Sequence, residues 1–417
     1  MSFESLGLSD PLLRAVTEQG YRAPTPVQAA VIPQVLAGRD VVAKASTGTG
    51  KTAAFVLPIL QMLGRLSVPR PVKALILVPT RELAKQTADV VAGLRRYLPV
   101  RPKTVVILGG VSINPQMMEL RGGADIVVAT PGRLLDLVHT NALSLASVRQ
   151  LVLDEADRLM DDNFSDELAR ILALVPAKRQ TLLFSTTLSP SVRRIATQLM
   201  SDPVRIDVAE PVTEVPAIAQ RAIEVDAPRR TQLLLQLLET HAWERVLVFV
   251  ATTHGADHVT AKLCAKGINA VALHGKLSQG ARTRALDMFR ASGVHVMVAT
   301  DLASRGLDIT GLPAVVNFDL PRSPTDYVHR IGRTGRAGDA GVAVSFITPE
   351  MAGHFALIEK RHAHYVARER ITGFEPTQAP VRPPSTGGVK GARKSKKDKL
   401  REAGKLPDRP DRQTEPR

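Results

Sequence analysis

Short apolar runs recur along this chain, separated by amphipathic stretches, and that alternation restricts the fold more than any other feature. In the first half the runs are Val41-Val42-Ala43, Ala74-Leu75-Ile76-Leu77-Val78, Thr104-Val105-Val106-Ile107-Leu108, Ile126-Val127-Val128-Ala129, Leu151-Val152-Leu153 and Thr181-Leu182-Leu183-Phe184. Each is too short for a stable helix and has no polar face, so each reads as a strand buried on both sides. Helical stretches fall between them, for example Arg81 to Leu98. This is the grammar of a doubly wound α/β sheet, in which function gathers at the carboxyl ends of the strands.

Residues 209–216 break the pattern with a Pro-bearing polar stretch, Ala209-Glu210-Pro211-Val212-Thr213-Glu214-Val215-Pro216, which reads as a linker. A second set of buried runs follows at Arg245 to Val250, Ala270 to Leu273, Val294 to Ala299 and Ala314 to Phe318. One α/β domain is therefore expected over residues 1–208 and another over 217–373, as suits a chain of 417 residues. Beyond them the apolar pattern stops. Pro376, Pro380, Pro383 and Pro384 precede the lysine-rich stretch Lys390 to Lys399, so 374–417 is expected to be a disordered basic tail.

A net charge of +15 and a pI near 10.2 call for a polyanionic partner. No apolar run approaches the ~20 residues that span a bilayer, and Met1-Ser2-Phe3-Glu4-Ser5 lacks the features of a secretory signal. Cys264 is the single cysteine, which excludes disulfides within the chain and cysteine-rich zinc sites. A cytoplasmic protein with no membrane association is the expectation. Aromatic residues make up only 4%, which argues against base-stacking platforms as the main device for reading nucleic acid.

Three elements carry chemistry. Ala45-Ser46-Thr47-Gly48-Thr49-Gly50-Lys51-Thr52 follows the first run, and small residues there let backbone N–H groups close around phosphates at a helix N-terminus. Lys51 would reach the β- and γ-phosphates and the Thr52 hydroxyl would ligate Mg²⁺. Asp154-Glu155-Ala156-Asp157 ends another buried run and offers carboxylates for a cation and for a water. His329-Arg330-Ile331-Gly332-Arg333-Thr334-Gly335-Arg336 supplies arginines of the kind that complete a phosphoryl-transfer site from outside. The second domain has no phosphate loop, so one nucleotide in the cleft between domains is expected.

These segments, together with Gln28 in Pro24-Thr25-Pro26-Val27-Gln28, Pro79-Thr80-Arg81-Glu82-Leu83-Ala84, Thr130-Pro131-Gly132-Arg133, His274-Gly275 with Gln279 and Arg282, and Ala299 through Asp308, resemble the ordered motifs of DEAD-box RNA helicases. The resemblance covers roughly residues 1–374. Gly110 to Gln116 and His274 to Arg282 are similar to the bacterial RhlE-type subgroup. It implies two tandem RecA-like parallel-sheet domains, with ATP and Mg²⁺ as cofactors and RNA as partner.

Carried onto this chain residue by residue, the resemblance makes Asp154 a Mg²⁺ ligand with Thr52, and Glu155 the base that orients the attacking water. Arg333 and Arg336 become arginine fingers, and His329 a bridge from the γ-phosphate region to Ser185. The loop residues Ser46, Thr47, Gly48, Thr49, Gly50 and Lys51 hold phosphates, and Lys51 joins Glu155, Arg333, Arg336 and His329 as a catalytic candidate. Gln28 selects adenine with help from Phe3, Tyr21 being a competing stacking residue, and Asp308 contacts the ribose. Thr80, Arg81, Gly109, Gly110, Thr130, Arg133, Gln279, Arg282, Thr300 and Arg305 grip the RNA backbone. For Arg133 a helix-start salt bridge is the competing reading. Ser185 and Thr187 couple hydrolysis to unwinding.

The chain departs from the family pattern chiefly in its third motif. The phosphate loop opens with Ala45 where the generic motif has Gly, which the family tolerates, and Asn163 for Gly and Ser304 for Ala are expected to change little. The third motif reads Ser185-Thr186-Thr187 rather than Ser-Ala-Thr, which puts an extra hydroxyl in a tight place, where it needs a partner.

The implied function is an ATP-dependent RNA helicase that locally separates short duplexes or remodels RNA–protein complexes, with RNA-stimulated ATP hydrolysis. The alternative is an ATP-gated RNA clamp with weak unwinding, and a DNA-directed helicase is a third option. Ribosome-assembly or RNA-decay proteins are expected partners. The basic tail is read as an RNA tether, His362 and His364 as surface histidines rather than a metal pair, and Cys264 as a small core residue.

Overall fold

Each buried run becomes a strand because its β-branched and aliphatic side chains are covered on both faces, and among the described residues the strands pair in parallel. The computed structural model describes residues 2–45, 48–64, 67–160, 164–208, 218–301, 309, 311–335, 341–362 and 364–377. The first sheet comprises β1 (Val41–Lys44), β2 (Ala74–Leu77), β3 (Thr104–Ile107), β4 (Ile126–Ala129), β5 (Gln150–Leu153), β6 (Gln180–Ser185) and β7 (Val204–Asp207). Its order is β3-β4-β2-β5-β6-β1-β7. The second comprises β8 (Ala219–Glu224), β9 (Val246–Val250), β10 (Ala270–Leu273), β11 (Val296–Thr300), β12 (Ala314–Asn317), β13 (Val342–Ile347) and β14 (Arg368–Glu369), in the order β10-β11-β9-β12-β13-β8-β14. Two seven-stranded parallel sheets covered by helices are the tandem RecA-like architecture expected.

Alternate residues of one strand feed opposite cores. Val41 and Ala43 join the cluster on one face of the first sheet, while Val42 joins the other. Val246, Val248 and Val250 similarly part from Leu247 and Phe249 in the second. That is the period-two geometry of a strand expressed as two hydrophobic layers.

Helix starts follow local chemistry. Thr25 and Gln28 form a reciprocal capping box with Pro26 in the first turn. Thr80 caps Arg81–Leu94, Ser278 caps Gln279–Arg290, and Ser323 followed by Pro324 opens Pro324–Ile331.

Four strands escape the sequence pattern. β7 and β8 are too polar to register as apolar runs; β7 alternates half-buried and exposed residues and lies at the sheet edge. β13 is almost wholly buried, a run passed over in the sequence, and β14 is only two residues long. The expected linker, 209–216, lies outside the described residues. Packing continues past 373: Phe374 is buried in the second core beneath Arg229, and Thr377 donates to Asp226 from its N–H and its hydroxyl. The tail from 378 onward lies outside the described residues. Cys264, expected in the core, is exposed, because it falls in the last turn of Thr253–Cys264 on the outer side of the sheet's helical layer.

Phe55 on the helix Lys51–Met62 meets Phe184 of β6 with ring centroids 5.2 Å apart, and both are fully buried. This contact seats the helix that follows the phosphate loop against the strand that ends in Ser185. Phe184→Ala is expected to lower unfolding free energy by about 3–5 kcal/mol, read from the denaturant midpoint.

Candidate functional site

The strand order sorts the candidate residues into two neighbouring groups. β5, β6 and β1 lie side by side, and their carboxyl ends carry Asp154, Ser185 and the phosphate loop. β3, β4 and β2 form the other contiguous half and lead into Gly109, Thr130 and Thr80.

In the first half, Gly50 adopts a left-handed backbone with φ +87° and opens the helix Lys51–Met62 without a side-chain cap. The first-turn N–H groups are thus available to an anion. Gly48 is also left-handed, with φ +79°. Lys51 is buried and donates to the Ala45 carbonyl at 3.0 Å. Gln28 differs from expectation. Its Oε1 accepts from Thr25 N at 2.9 Å and its Nε2 donates to Gly50 O at 3.1 Å, so the amide ties the capping box to the phosphate loop. An adenine edge would reach that amide in exchange for these bonds. Phe3 differs too: it is 4% exposed and packs in the core against Tyr21, with ring centroids 6.5 Å apart. Half-buried Tyr21 offers more ring surface, and burial raises its phenol pKa.

Asp154 is buried and accepts from Glu155 N at 2.9 Å. Burial pushes its pKa up to about 6, against the pull of Lys51. Burial strips the carboxylate of solvent, and the neighbouring Glu155 and Asp157 add to the rise, so a cation beside it would relieve the cost of the charged form. Among the described residues no group of three or more His, Cys, Asp or Glu gathers as a metal cage. The Asp154 carboxylate and half-buried Thr52 suit Mg²⁺ by the chemistry of their oxygen donors, since that ion keeps waters and substrate phosphates in its shell.

Glu155 occupies the left-handed region with φ +50°, an unfavourable place for a residue with a Cβ, and is buried. Its Oε2 lies 3.3 Å from Arg158 Nε but has no aligned hydrogen-bond donor. Arg158, which sequence reasoning missed, also reaches the second domain: Nη1 is 3.6 Å from Asp326 Oδ1, and Nη2 contacts His329 Nδ1. Its only sequence signal was its place directly after Asp157.

His329 does not reach Ser185 as expected. Its Nε2 lies 2.8 Å from the Thr186 hydroxyl, which in turn contacts Asp157 Oδ2 at 2.6 Å. Ser185 instead accepts from Asp157 N and donates to Thr187 O at 2.7 Å, and Thr187 Oγ1 donates to Asp157 at 3.2 Å. Burial first, then Arg158, pushes the His329 pKa down to about 3. Arg330 anchors this helix, pairing with both Asp301 oxygens at 2.6 and 2.7 Å and donating to Asn317 and the Asp319 carbonyl. Arg333 is buried beside Arg158, Asp301 and Asp326 in the crevice between domains.

In the other half, Thr80, Arg81, Gly109, Thr130, Arg133 and Arg282 line one cleft of about 280 Å³ that spans both domains. Arg81 lies across Gly110, where any Cβ would collide with the guanidinium, and its Nη1 is 3.5 Å from Gln279 Oε1. Arg282 pairs with Glu82 across the cleft at 2.6 Å, and both are buried. The pKa of Arg81 is lowered by burial and then by Arg282, with Arg133 adding to the effect. Such a cationic cluster favours an anion regardless of sequence. Arg133 keeps its helix-start pair with Asp136, at 3.4 Å, and donates to Val111 O at 2.8 Å, so the bland reading of this residue has structural substance. The Thr130 hydroxyl accepts from Gly109 N. Thr300 ends β11 and is buried, away from the lining of this cleft. Ser46, Thr47, Ser304, Arg305, Asp308, Arg336 and Asn163 lie outside the described residues. His362 is exposed and contacts the Pro324 carbonyl, and His364 is exposed as well.

The raised pKa of Asp154 sets the sign of a pH effect. Its contribution to folding is fully present below the unfolded value of 3.8 and is lost as pH rises through about 6. In metal-free protein, Asp154→Asn should therefore raise the melting temperature at neutral pH, and the gain should vanish on acidification, as followed by calorimetry.

Comparison with known proteins agrees with this geometry. Residues 25–195 match the DEAD/DEAH box helicase family, and residues 229–338 match the helicase conserved C-terminal domain. The chain is 41% identical over 359 residues to the DEAD-box ATP-dependent RNA helicase CshA of Bacillus cereus, covering 86% of this chain and 68% of that one. It is 43% identical over 348 residues to the ATP-dependent rRNA helicase rrp3 of Emericella nidulans, covering 83% and 74%. The structure of S. cerevisiae Dbp5 bound to RNA and ADP BeF3 superposes with a TM-score of 0.76 at 31% identity, covering 89% of this chain and 95% of that one. By sequence and by structure alike, the chain belongs to the DEAD-box family of ATP-dependent RNA helicases and is an ATP hydrolase.

Proposed function

We propose that this helicase separates short RNA duplexes locally, or remodels RNA–protein complexes, and that RNA stimulates its ATP hydrolysis by closing the cleft. One observation carries the reading: the second domain contacts both halves of the first at once. Gln279 and Arg282 meet Arg81 and Glu82 in the cationic half, while Asp326 and His329 meet Arg158 and Thr186 in the nucleotide half. A strand held in one half therefore favours the arrangement that completes the other.

In this reading Lys51 and the first-turn N–H groups hold the phosphates, and Asp154 with Thr52 holds Mg²⁺, which supplies positive charge to the phosphate oxygens. Glu155 orients the attacking water, its Oε2 being paired in charge but open to a donor. Arg333 brings positive charge from across the cleft, with Arg336 as its expected companion. Thr80, Arg81, Gly109, Gly110, Thr130, Arg133, Gln279 and Arg282 hold the RNA backbone without reading bases. Gly110 to Gln116 and His274 to Arg282 support an RhlE-like subgroup, and the rRNA helicase among the relatives supports a role near ribosome assembly. A clamp that grips RNA without displacing a strand is the second reading, which a strand-displacement assay with ATP separates from the first.

Wild-type ATPase should rise with single-stranded RNA, and Glu155→Gln should lower the stimulated rate by about 10²–10⁴ while RNA binding persists. A rate indifferent to RNA sinks the proposal. Arg81→Ala should weaken RNA binding alike across sequences and reduce the slope of log affinity against log salt by about 1.

A further inference from the structure

The third motif departs from its family pattern at one residue, Thr186, whose hydroxyl lies on the domain boundary. Ser185 and Thr187 direct their hydroxyls within the first domain, to the Thr187 carbonyl and to Asp157. The Thr186 hydroxyl, absent from an alanine, sits between Asp157 Oδ2 at 2.6 Å and His329 Nε2 of the second domain at 2.8 Å. His329 Nδ1 in turn faces Arg158 Nη2.

The ends of this chain fix its direction. A guanidinium only donates and a carboxylate only accepts. Arg158 must therefore donate to Nδ1, which leaves the imidazole proton on Nε2. That proton goes to the Thr186 oxygen, whose own proton goes to Asp157. A protonated imidazole would set two donors against each other at Arg158, and the lowered pKa of His329 agrees with a neutral ring. The sequence thus crosses the cleft twice, leaving the first domain at Arg158 and returning at Thr186. Arg158 also lies beside Glu155, so the chain runs from the carboxylate that orients water to the last residue of the same motif.

We infer that Thr186 is a positioning residue whose hydroxyl completes a one-way hydrogen-bond chain, Arg158 to His329 to Thr186 to Asp157, and thereby favours the closed cleft. The inference rests on the helicase reading above and deepens it: the departure from Ser-Ala-Thr strengthens communication between the domains. With valine the β-branched shape remains but neither bond can form, leaving His329 Nε2 without its acceptor. With serine both bonds can form.

The test combines turnover with closure. ATPase is titrated with single-stranded RNA, and closure is followed by energy transfer between exposed Cys264 and a second label at Val100→Cys, on the exposed surface of the first domain. Thr186→Val should raise the RNA concentration for half-maximal stimulation about tenfold, the loss expected for two hydrogen bonds. High transfer should shift to the same higher RNA concentration, and turnover at saturating RNA should change far less. Thr186→Ser should track wild type. If Thr186→Val closes at the wild-type RNA concentration, or Thr186→Ser behaves like valine, this inference alone is overturned. A wild-type chain that shows neither RNA-stimulated turnover nor closure overturns both it and the helicase reading.

Discussion

Buried charge answered from across the cleft is the constraint on which the rest of this structure depends. Glu82 and Arg282 come from different domains and are both nearly inaccessible, and buried Arg158 meets the partly exposed Asp326 of the second domain at 3.6 Å. Breaking such a pair while leaving one member buried is costly, whereas separating the domains returns both members to water. The closed form is therefore held by contacts that solvent can replace. That is the energetic profile a reversible motor needs, and a large apolar interface would oppose it.

The two halves of the first sheet turn this constraint into coupling. Parallel strands with right-handed crossovers allow the chain to lay down its strands out of sequence order, so residues remote in the chain emerge side by side. The loops after β3, β4 and β2 line the cationic cleft, and those after β5, β6 and β1 carry Asp154, Ser185 and the phosphate-loop motif. β2 and β5 adjoin in the middle of the sheet. A rigid sheet thus carries both sites, and the second domain acts on both through helices Gln279–Arg290 and Pro324–Ile331.

Much of this was legible in the sequence because the relevant signals are local. Ten strands announced themselves as apolar runs, since burial on both faces removes the polar alternation. The polar strands β7, at the sheet edge, and β8, between β13 and β14, did not, because exposed and half-buried residues interrupt each of them. Candidate residues fared similarly. Lys51 and Asp154 follow buried strands in recognisable loops, but Arg158 reads as one more charged residue on a short helix. Its importance comes from Asp326 and His329, more than 160 positions away. Gln28 and Phe3 show the reverse: their motif positions were plain, yet capping and core packing engage the surfaces expected to meet adenine.

The sequence by itself determined the class of fold, the phosphate loop, the paired carboxylates and the family, because each rests on residue types at short, fixed spacings. It also exposed Thr186 as a departure and required a partner for its hydroxyl. Only the tertiary structure decided who that partner is, which candidates share a cleft, and which charges are answered from the other domain. Those outcomes depend on strand order and domain contact, which bring distant residues within hydrogen-bond distance and leave no periodic trace along the chain.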